Sequence, residues 1–301
     1  QGLRALGAQI EEKHGHILCS GALHGGEVHL DYPSVGATEN VMMAACGAAG
    51  DTVIHNAARE PEIGDLAGFL RACGADVRDE NGVLRVRGGK PLHGCTYPVM
   101  PDRMEAATYL IAAAATRGEI LLTGLCPAHL TAVTDVLRQA GCELAIAETS
   151  IALRAPRLHA VSPIRTAPHP GFPTDAQAPM MAAMTVAEGV SVFEETIFEN
   201  RFMHVPELMR MGANINVHGH ASAIVRGVKK LYGAQVMATD LRASFALVLA
   251  GLIAEGETIV NRVYHLDRGY EKLEEKLRGV GADIVRIKEP DQTDTPPKKA
   301  A

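Results

Sequence analysis

An α/β fold built from repeated subdomains, with buried helices and sheets outside them, is predicted by three observations. Four times an Ala/Met/Leu-rich run ends in Gly and passes into a short apolar strand, at Gly50, Gly118, Gly189 and Gly256. A second marker trails each of these: Gly74-Ala75-Asp76, Gly141-Cys142-Glu143, Gly212-Ala213-Asn214 and Gly281-Ala282-Asp283. The Ala-rich runs are apolar nearly all round, as buried helices are, whereas the helices that follow them are amphipathic. A period of about 70 residues exceeds that of solenoid repeats, so the units are expected to pack as subdomains around shared helices. The marker also occurs at Gly7-Ala8-Gln9 with no helix–strand half before it. The expectation is four full units plus the tail of a fifth, in a chain that begins inside a repeat.

The third unit illustrates the elements. Thr174 or Asp175 can cap a helix through AQAPMMAAMTVAEG, stopped by Gly189. VSVFEE follows as a strand, rich in β-branched and apolar residues. A polar connection, TIFENRFM, leads to a second helix in HVPELMRMG, and ANINV and ASAIVRG read as two strands around a His-Gly-His turn. The predicted order is helix, strand, helix, strand, strand. Ser34, Asp102 and Asp240 are candidate caps for the first helices of the other units. PEIGDLAGFLRACG, HLTAVTDVLRQAG and GYEKLEEKLRGVG are their amphipathic second helices.

At 301 residues there is room for two domains with separate cores. A net charge of −6 leaves no general basic footprint for nucleic acid. Glu, Thr and Arg interrupt every Ala-rich stretch before it reaches membrane-spanning length, and the start carries no signal-like segment. The six cysteines form no CxxC and no His-paired metal spacing; most sit among Ala, Leu and Gly as small core residues. A reduced, cytoplasmic protein is expected. EPDQTDTPPKKAA, polar and Pro-rich, predicts a disordered tail over 289–301.

Chemistry-bearing residues recur where a unit's first strand leads into its second helix. NAAREPEIGD, FENRFMHVPE and YHLDRGYEK each set an Arg (Arg59, Arg201, Arg268) with carboxylates beside a helix start. Helix starts with Arg nearby suit phosphate and carboxylate anions. Loop ion pairs with Glu60, Glu62, Glu199, Asp267 or Glu271 are the simpler account of any single segment; three at equivalent positions facing a common cleft would favour anion binding. Asp175, in the stiff approach PHPGFPTDAQ, reads most simply as an N-cap, in line with Asp102 and Asp240. Arg103 and Arg242, which follow those caps, are ligand contacts or salt-bridge partners. Ser34 and the small residues after it suit either close approach of a ligand or a simple cap. His169, His204 and His265 lie in polar segments, but there is no HExxH, P-loop, GxSxG or GxGxxG.

Taken together, LDYPSVGATEN, NAAREPEI, PDRMEA, PHPGFPTDAQ, FENRFMHVPEL, GAQVMATDLRAS and HLDRGYEKLEEKL resemble the UDP-N-acetylglucosamine enolpyruvyl transferase family, in order from residue 1 to about 288. The resemblance implies an inside-out α/β barrel in each of two domains, with substrates between them. Residues 1–100 would be the later half of the first domain and residues 101–288 most of the second. The implied reaction moves the enolpyruvyl group of phosphoenolpyruvate to the 3′-hydroxyl of UDP-N-acetylglucosamine by addition and elimination, the first committed step of peptidoglycan synthesis, with no metal or other cofactor. Asp175 matches the family's Asp near the attacking hydroxyl. Arg242 and Arg268 match Args that bind phosphoenolpyruvate, and Arg201 an Arg in the same cleft. Ile197 matches an apolar contact to the sugar nucleotide; Ser34, Val35 and Gly36 match the segment against its UDP portion. Some members carry Lys two residues before that Ser, where this chain has Tyr32.

The family's general-acid Cys, its Lys-Asn pair and its Arg-Pro-Val-Asp segment belong to repeats upstream of residue 1. None of the six cysteines here matches that Cys motif. The resemblance therefore implies missing N-terminal repeats as partners, and slow or absent turnover by these residues alone. A different class of reading is a catalytically dead remnant that binds a sugar nucleotide or acts as an interaction partner. Half a domain should expose apolar faces, so aggregation or weak hydrogen-exchange protection over 1–100 is expected.

Overall fold

The computed structural model describes residues 1–80 and 82–287. Helix α1 (Gly2–Ala5) and a hairpin of β1 (Gln9–Lys13) and β2 (His16–Ser20) precede the first full unit. That unit is β3 (Glu27–His29), α2 (Val35–Gly47), β4 (Asp51–His55), α3 (Pro61–Ala72), β5 (Asp76–Glu80) and β6 (Val83–Arg87). The second is α4 (Arg103–Ala115), β7 (Glu119–Thr123), α5 (Thr131–Gln139), β8 (Glu143–Ile146) and β9 (Ser150–Arg154). The third is β10 (Ile164–Arg165), α6 (Gln177–Met184), β11 (Val190–Glu194), α7 (Val205–Arg210), β12 (Asn214–His218) and β13 (Ser222–Arg226). The fourth is β14 (Leu231–Tyr232), β15 (Gln235–Met237), α8 (Leu241–Ile253), β16 (Ala254–Glu255), β17 (Ile259–Asn261) and α9 (Leu273–Gly279).

Two features depart from the sequence expectation. The unit starts one strand earlier: β3 runs parallel to β4, and β10 parallel to β11, so each first helix is the crossover of a βαβ element. At two or three residues, these strands are too short to carry a legible alternation. The resulting sheets are ordered β3-β4-β6-β5 and β10-β11-β13-β12, whereas the second unit has only β7-β9-β8. In the fourth unit no strand follows α9 among the described residues. The tail expected at 289–301 lies outside the described residues.

Capping follows the sequence at three helices and fails at the fourth. Ser34 Oγ accepts from the Ala37 N–H at 3.3 Å. Asp102 Oδ1 accepts from Met104 and Glu105 at 2.7 and 2.9 Å, and Asp240 Oδ1 from Arg242 and Ala243 at 2.8 and 2.9 Å. Such caps satisfy N–H groups that the first helical turn leaves without partners. Asp175 does not cap. It lies in a 3₁₀ turn, Thr174–Ala176, before α6, and its carboxylate is engaged elsewhere.

The first helices α4, α6 and α8 are largely buried, as their composition requires, whereas α2 buries one face and leaves Asn40 and Met43 exposed. Every residue of α6 is buried, as is Ala243–Ala250 of α8, and α4, α6 and α8 pack on one another with the sheets outside. Their side chains form one large core from Met104 to Leu277; a smaller one gathers Leu6 to Val86 around α2 and α3. Glycine makes the unit closures possible. A Cβ on Gly88 would stand 2.2 Å from the Ala48 carbonyl oxygen, and one on Gly227 1.6 Å from that of Ala187. Residues 88–102 cross between the cores without regular structure. There Cys95 brings its thiol 3.4 Å from that of Cys73.

The two cores are joined by charge pairing. Arg103, at the start of α4, donates to both carboxylate oxygens of Glu62 in α3, at 2.8 and 3.1 Å. The His169 N–H donates to Glu60 Oε1 at 3.2 Å.

Candidate active site

Asp175 lies between two guanidinium groups from distant parts of the chain. Arg201, in the connection between β11 and α7, reaches Oδ1 at 2.6 Å. Arg242, in the first turn of α8, reaches Oδ2 at 3.0 Å. Both Arg side chains are close to buried, at 10 and 12% exposure, while Asp175 keeps 38% of its surface open. The carboxylate is thus held from behind and faces outward. Burial alone would push its carboxyl up; the charges of Arg242 and Arg201, with their hydrogen bonds, outweigh this and hold it below the ordinary value.

Each Arg is itself positioned. Arg201 donates from Nε and Nη2 to the Thr174 carbonyl oxygen, both at 3.3 Å, and lies 5.1 Å from the Phe198 ring centroid. Its own carbonyl oxygen accepts from His204 Nδ1 at 3.1 Å. With a carbonyl as partner, that nitrogen carries the proton, and Nε2 is left buried with no hydrogen-bond partner. Desolvation pulls His204 down to about 4, so the imidazole is neutral. Arg242 sits 5.9 Å from the Tyr270 ring centroid and donates to the Tyr270 hydroxyl at 3.4 Å. That ring stacks on Phe245 of α8 at 5.0 Å. Aromatic packing in the core thereby fixes the direction of a charged group at its edge.

The loop that carries Ile197 is organised by a residue without a sequence motif. Glu195 is 4% exposed, and its carboxylate accepts four hydrogen bonds from this neighbourhood. Oε1 takes Thr166 Oγ1 at 2.9 Å, the Ile197 N–H at 2.8 Å and the Phe198 N–H at 3.0 Å; Oε2 takes Thr174 Oγ1 at 3.0 Å. One buried carboxylate therefore folds the loop back on β11 and fixes the turn that holds Asp175. The alternation Ser191, Phe193, Glu195 facing inward is the signal that would have separated Glu195 from Glu194. A cleft of about 530 Å³ opens over this loop, lined by residues 195–200 with His220 and Ala221.

The remaining candidates are carried by other elements. Ser34, Val35 and Gly36 form the first turn of α2, with open space where a Gly36 Cβ would be. Just before them, burial first, and then the negative charges of Glu60 and Glu195, push the Tyr32 phenol up. Arg268 ends the 3₁₀ helix Val263–Arg268, is exposed, and makes no ion pair among the described residues. Arg59 leans on the β5–β6 turn, its Nε 2.8 Å from where a Gly82 Cβ would stand. Of the three recurrent Args, Arg201 is the one seen on Asp175, where Arg242 joins it.

The profile of the family described as EPSP synthase (3-phosphoshikimate 1-carboxyvinyltransferase) matches residues 1–277. The chain belongs to this family of enolpyruvyl transferases. One relative, UDP-N-acetylglucosamine 1-carboxyvinyltransferase of Granulibacter bethesdensis, is 56% identical over 95% of the chain and 69% of its own length. The enzyme of the same name from Maricaulis maris is 55% identical over 95% of the chain and 68% of its own length. Among solved enolpyruvyl transferases, NikO from Streptomyces tendae superposes with a TM-score of 0.84 at 25% identity, over 94% of this chain and 70% of that one. EPSP synthase from Acinetobacter baumannii, at 22% identity and a TM-score of 0.70 over 95% of this chain and 70% of that one, shares the fold. No helix among the described residues of this enolpyruvyl transferase is long and apolar enough to cross a membrane.

Proposed function

We propose that the chain transfers the enolpyruvyl group of phosphoenolpyruvate to the 3′-hydroxyl of UDP-N-acetylglucosamine, releasing phosphate, in the cytoplasm. The supporting observation is the Arg201–Asp175–Arg242 cluster, two cations flanking one open-faced carboxylate. Its parts suit the chemistry. The hydroxyl oxygen adds to C2 of phosphoenolpyruvate while a proton goes to C3; loss of that site's proton and of phosphate then restores the double bond. In this reading Asp175 takes the hydroxyl proton. In the free cluster it is a poor base, because two guanidiniums hold its charge. An incoming phosphate or carboxylate competes for those guanidiniums. Sharing them lifts the Asp175 pKa and releases its oxygens when substrate is present.

Arg242 and Arg201 hold the anion in this reading, with exposed Arg268 as a further cation. Ile197, on the loop set by Glu195, contacts the sugar nucleotide from one side, and Ser34, Val35 and Gly36 meet its UDP portion from the other. The C3 proton is assigned to a cysteine from preceding repeats of the same enzyme, since Cys19, Cys46, Cys73, Cys95, Cys126 and Cys142 lie in no matching motif. The test is phosphate release from phosphoenolpyruvate with UDP-N-acetylglucosamine, alongside calorimetric binding of each substrate. In enzyme that carries the preceding repeats, Asp175→Asn is expected to lower kcat by about 10²–10⁴-fold while both substrates still bind. Unchanged release would remove Asp175 from the mechanism, and failure of either substrate to bind would overturn the assignment.

A further inference from the structure

We infer that the outer face of β3 and β4 holds a binding site for a borderline-soft divalent cation, Zn²⁺ foremost, ligated by Glu27, His29 and His55. Sequence spacing gives no hint of it, because the two histidines stand 26 residues apart on different strands. The register brings them together: β3 and β4 pair in parallel with His29 opposite His55. Glu27 lies two residues before His29 and so projects from the same face, while Val28 and Ile54 point into the core. One ligand atom from each of the three falls within 4.8 Å of the others. Glu27 Oε2 is 3.5 Å from His29 Nε2 and 3.9 Å from His55 Nε2.

These separations are too long for hydrogen bonds and suit a shared ion. In a tetrahedral site with bonds of about 2.1 Å, neighbouring ligands stand about 3.4 Å apart. The three groups reach that spacing by closing in about an ångström, through side-chain torsions at a surface. The imidazoles stack in the free protein, with centroids 4.2 Å apart and planes within 3°, and have to turn out of that stack to aim both in-plane lone pairs at one ion. His55 Nε2 is the second observation: it is enclosed and makes no hydrogen bond. A metal ion would satisfy that nitrogen, and two imidazoles with one carboxylate leave a fourth position for water.

The surroundings permit a cation. The next strand on this face, β6, brings Arg85 beside Val53, not beside the histidines, and Glu80 holds Arg85 at 2.8 Å. The position also gives the ion something to act on. The Leu30 N–H donates to the His55 carbonyl oxygen at 3.2 Å, and Asn56 Nδ2 donates to that of Leu30 at 2.8 Å. Four residues past Leu30 stands Ser34, and three past Asn56 stands Arg59. An ion bridging His29 and His55 would clamp the exits of both strands, from which the α2 entry and the α3 entry start. This inference does not depend on the proposed reaction.

The experiment is calorimetric titration of metal-free, thiol-reduced protein with Zn²⁺, and separately with Ni²⁺, which discriminates against thiols. Wild type is expected to take up one equivalent that is weakened more than about tenfold in His29→Asn and in His55→Asn, and less in Glu27→Gln. The same equivalent should raise the melting temperature of wild type and not of the two His variants. In unsubstituted protein, substoichiometric Ni²⁺ should broaden the imidazole signals of His29 and His55 before those of the other histidines. Equal affinity in all variants, broadening that starts elsewhere, or no uptake by wild type would overturn the site.

Discussion

His204 shows how one buried residue links the site to stability. Its imidazole is wholly enclosed, neutral, and bonded only to the backbone of Arg201. In the unfolded chain a histidine takes up a proton near pH 6.5, whereas here uptake waits until about 4. Between those values the unfolded state binds the extra proton. Stability from this group is therefore complete above pH 6.5 and falls with pH at about 1.4 kcal/mol per unit, down to about pH 4. Burial first, then Arg103, pulls His169 down too, and adds a slope of the same sign. Urea unfolding at pH 7.5 and 5.5 should show a loss in wild type that is about 1 kcal/mol smaller in His204→Gln. Equal losses would show that His204 is protonated in the native state. Asp175 has the same sign in a more acidic window: its depressed pKa stabilises fully above the ordinary carboxylate range, and that contribution is lost as the pH falls through and below it.

At the scale of elements, the connection from β11 to α7 is held by the carboxylate of Glu195. Removing the carboxylate leaves two hydroxyls and two backbone N–H groups without their acceptor, and unsatisfied buried donors cost about 1–3 kcal/mol each. Glu195→Ala is expected to raise the KM for the sugar nucleotide more than it lowers kcat, and to speed hydrogen exchange at Ile197 and Phe198. Glu195→Gln, which keeps an oxygen for those N–H groups, should restore most of the affinity. An unchanged KM in Glu195→Ala would separate this loop from substrate binding. The β11 alternation made the inward position of Glu195 readable, but nothing in the sequence showed that Thr166 and Thr174 would meet it.

For the whole molecule, the decisive fact is the unequal size of the two cores. The larger encloses α4, α6 and α8; the smaller rests on α2 and α3. The β1–β2 hairpin adds no buried residue to either and leaves Ile17 72% and Leu18 51% exposed. Exchange protection should therefore be strongest in α6 and α8, weaker in α2 and α3, and least in β1–β2. Uniform protection over both cores in a monomer would contradict that ranking. The charge contacts of Arg103 with Glu62 and of Glu60 with His169 tie the cores at few points. Screening should weaken such contacts only where solvent reaches them, and Arg103 is 10% exposed.

The sequence alone determined the features that depend on near neighbours. Repeat markers, helix caps at Ser34, Asp102 and Asp240, buried first helices and the family motifs are all patterns within a turn or a strand, where spacing dictates geometry. Tertiary structure decided every pairing across distance. Asp175 has the sequence context of a cap, yet two Args from 26 and 67 residues away claim its oxygens. Arg242, and not Arg59 or Arg268, joins Arg201 there. The strands before the first helices, the role of Glu195 and the meeting of His29 with His55 likewise follow from sheet register and helix packing. A sequence records which groups can interact; only the packed core fixes which of the possible partners stand within bonding distance.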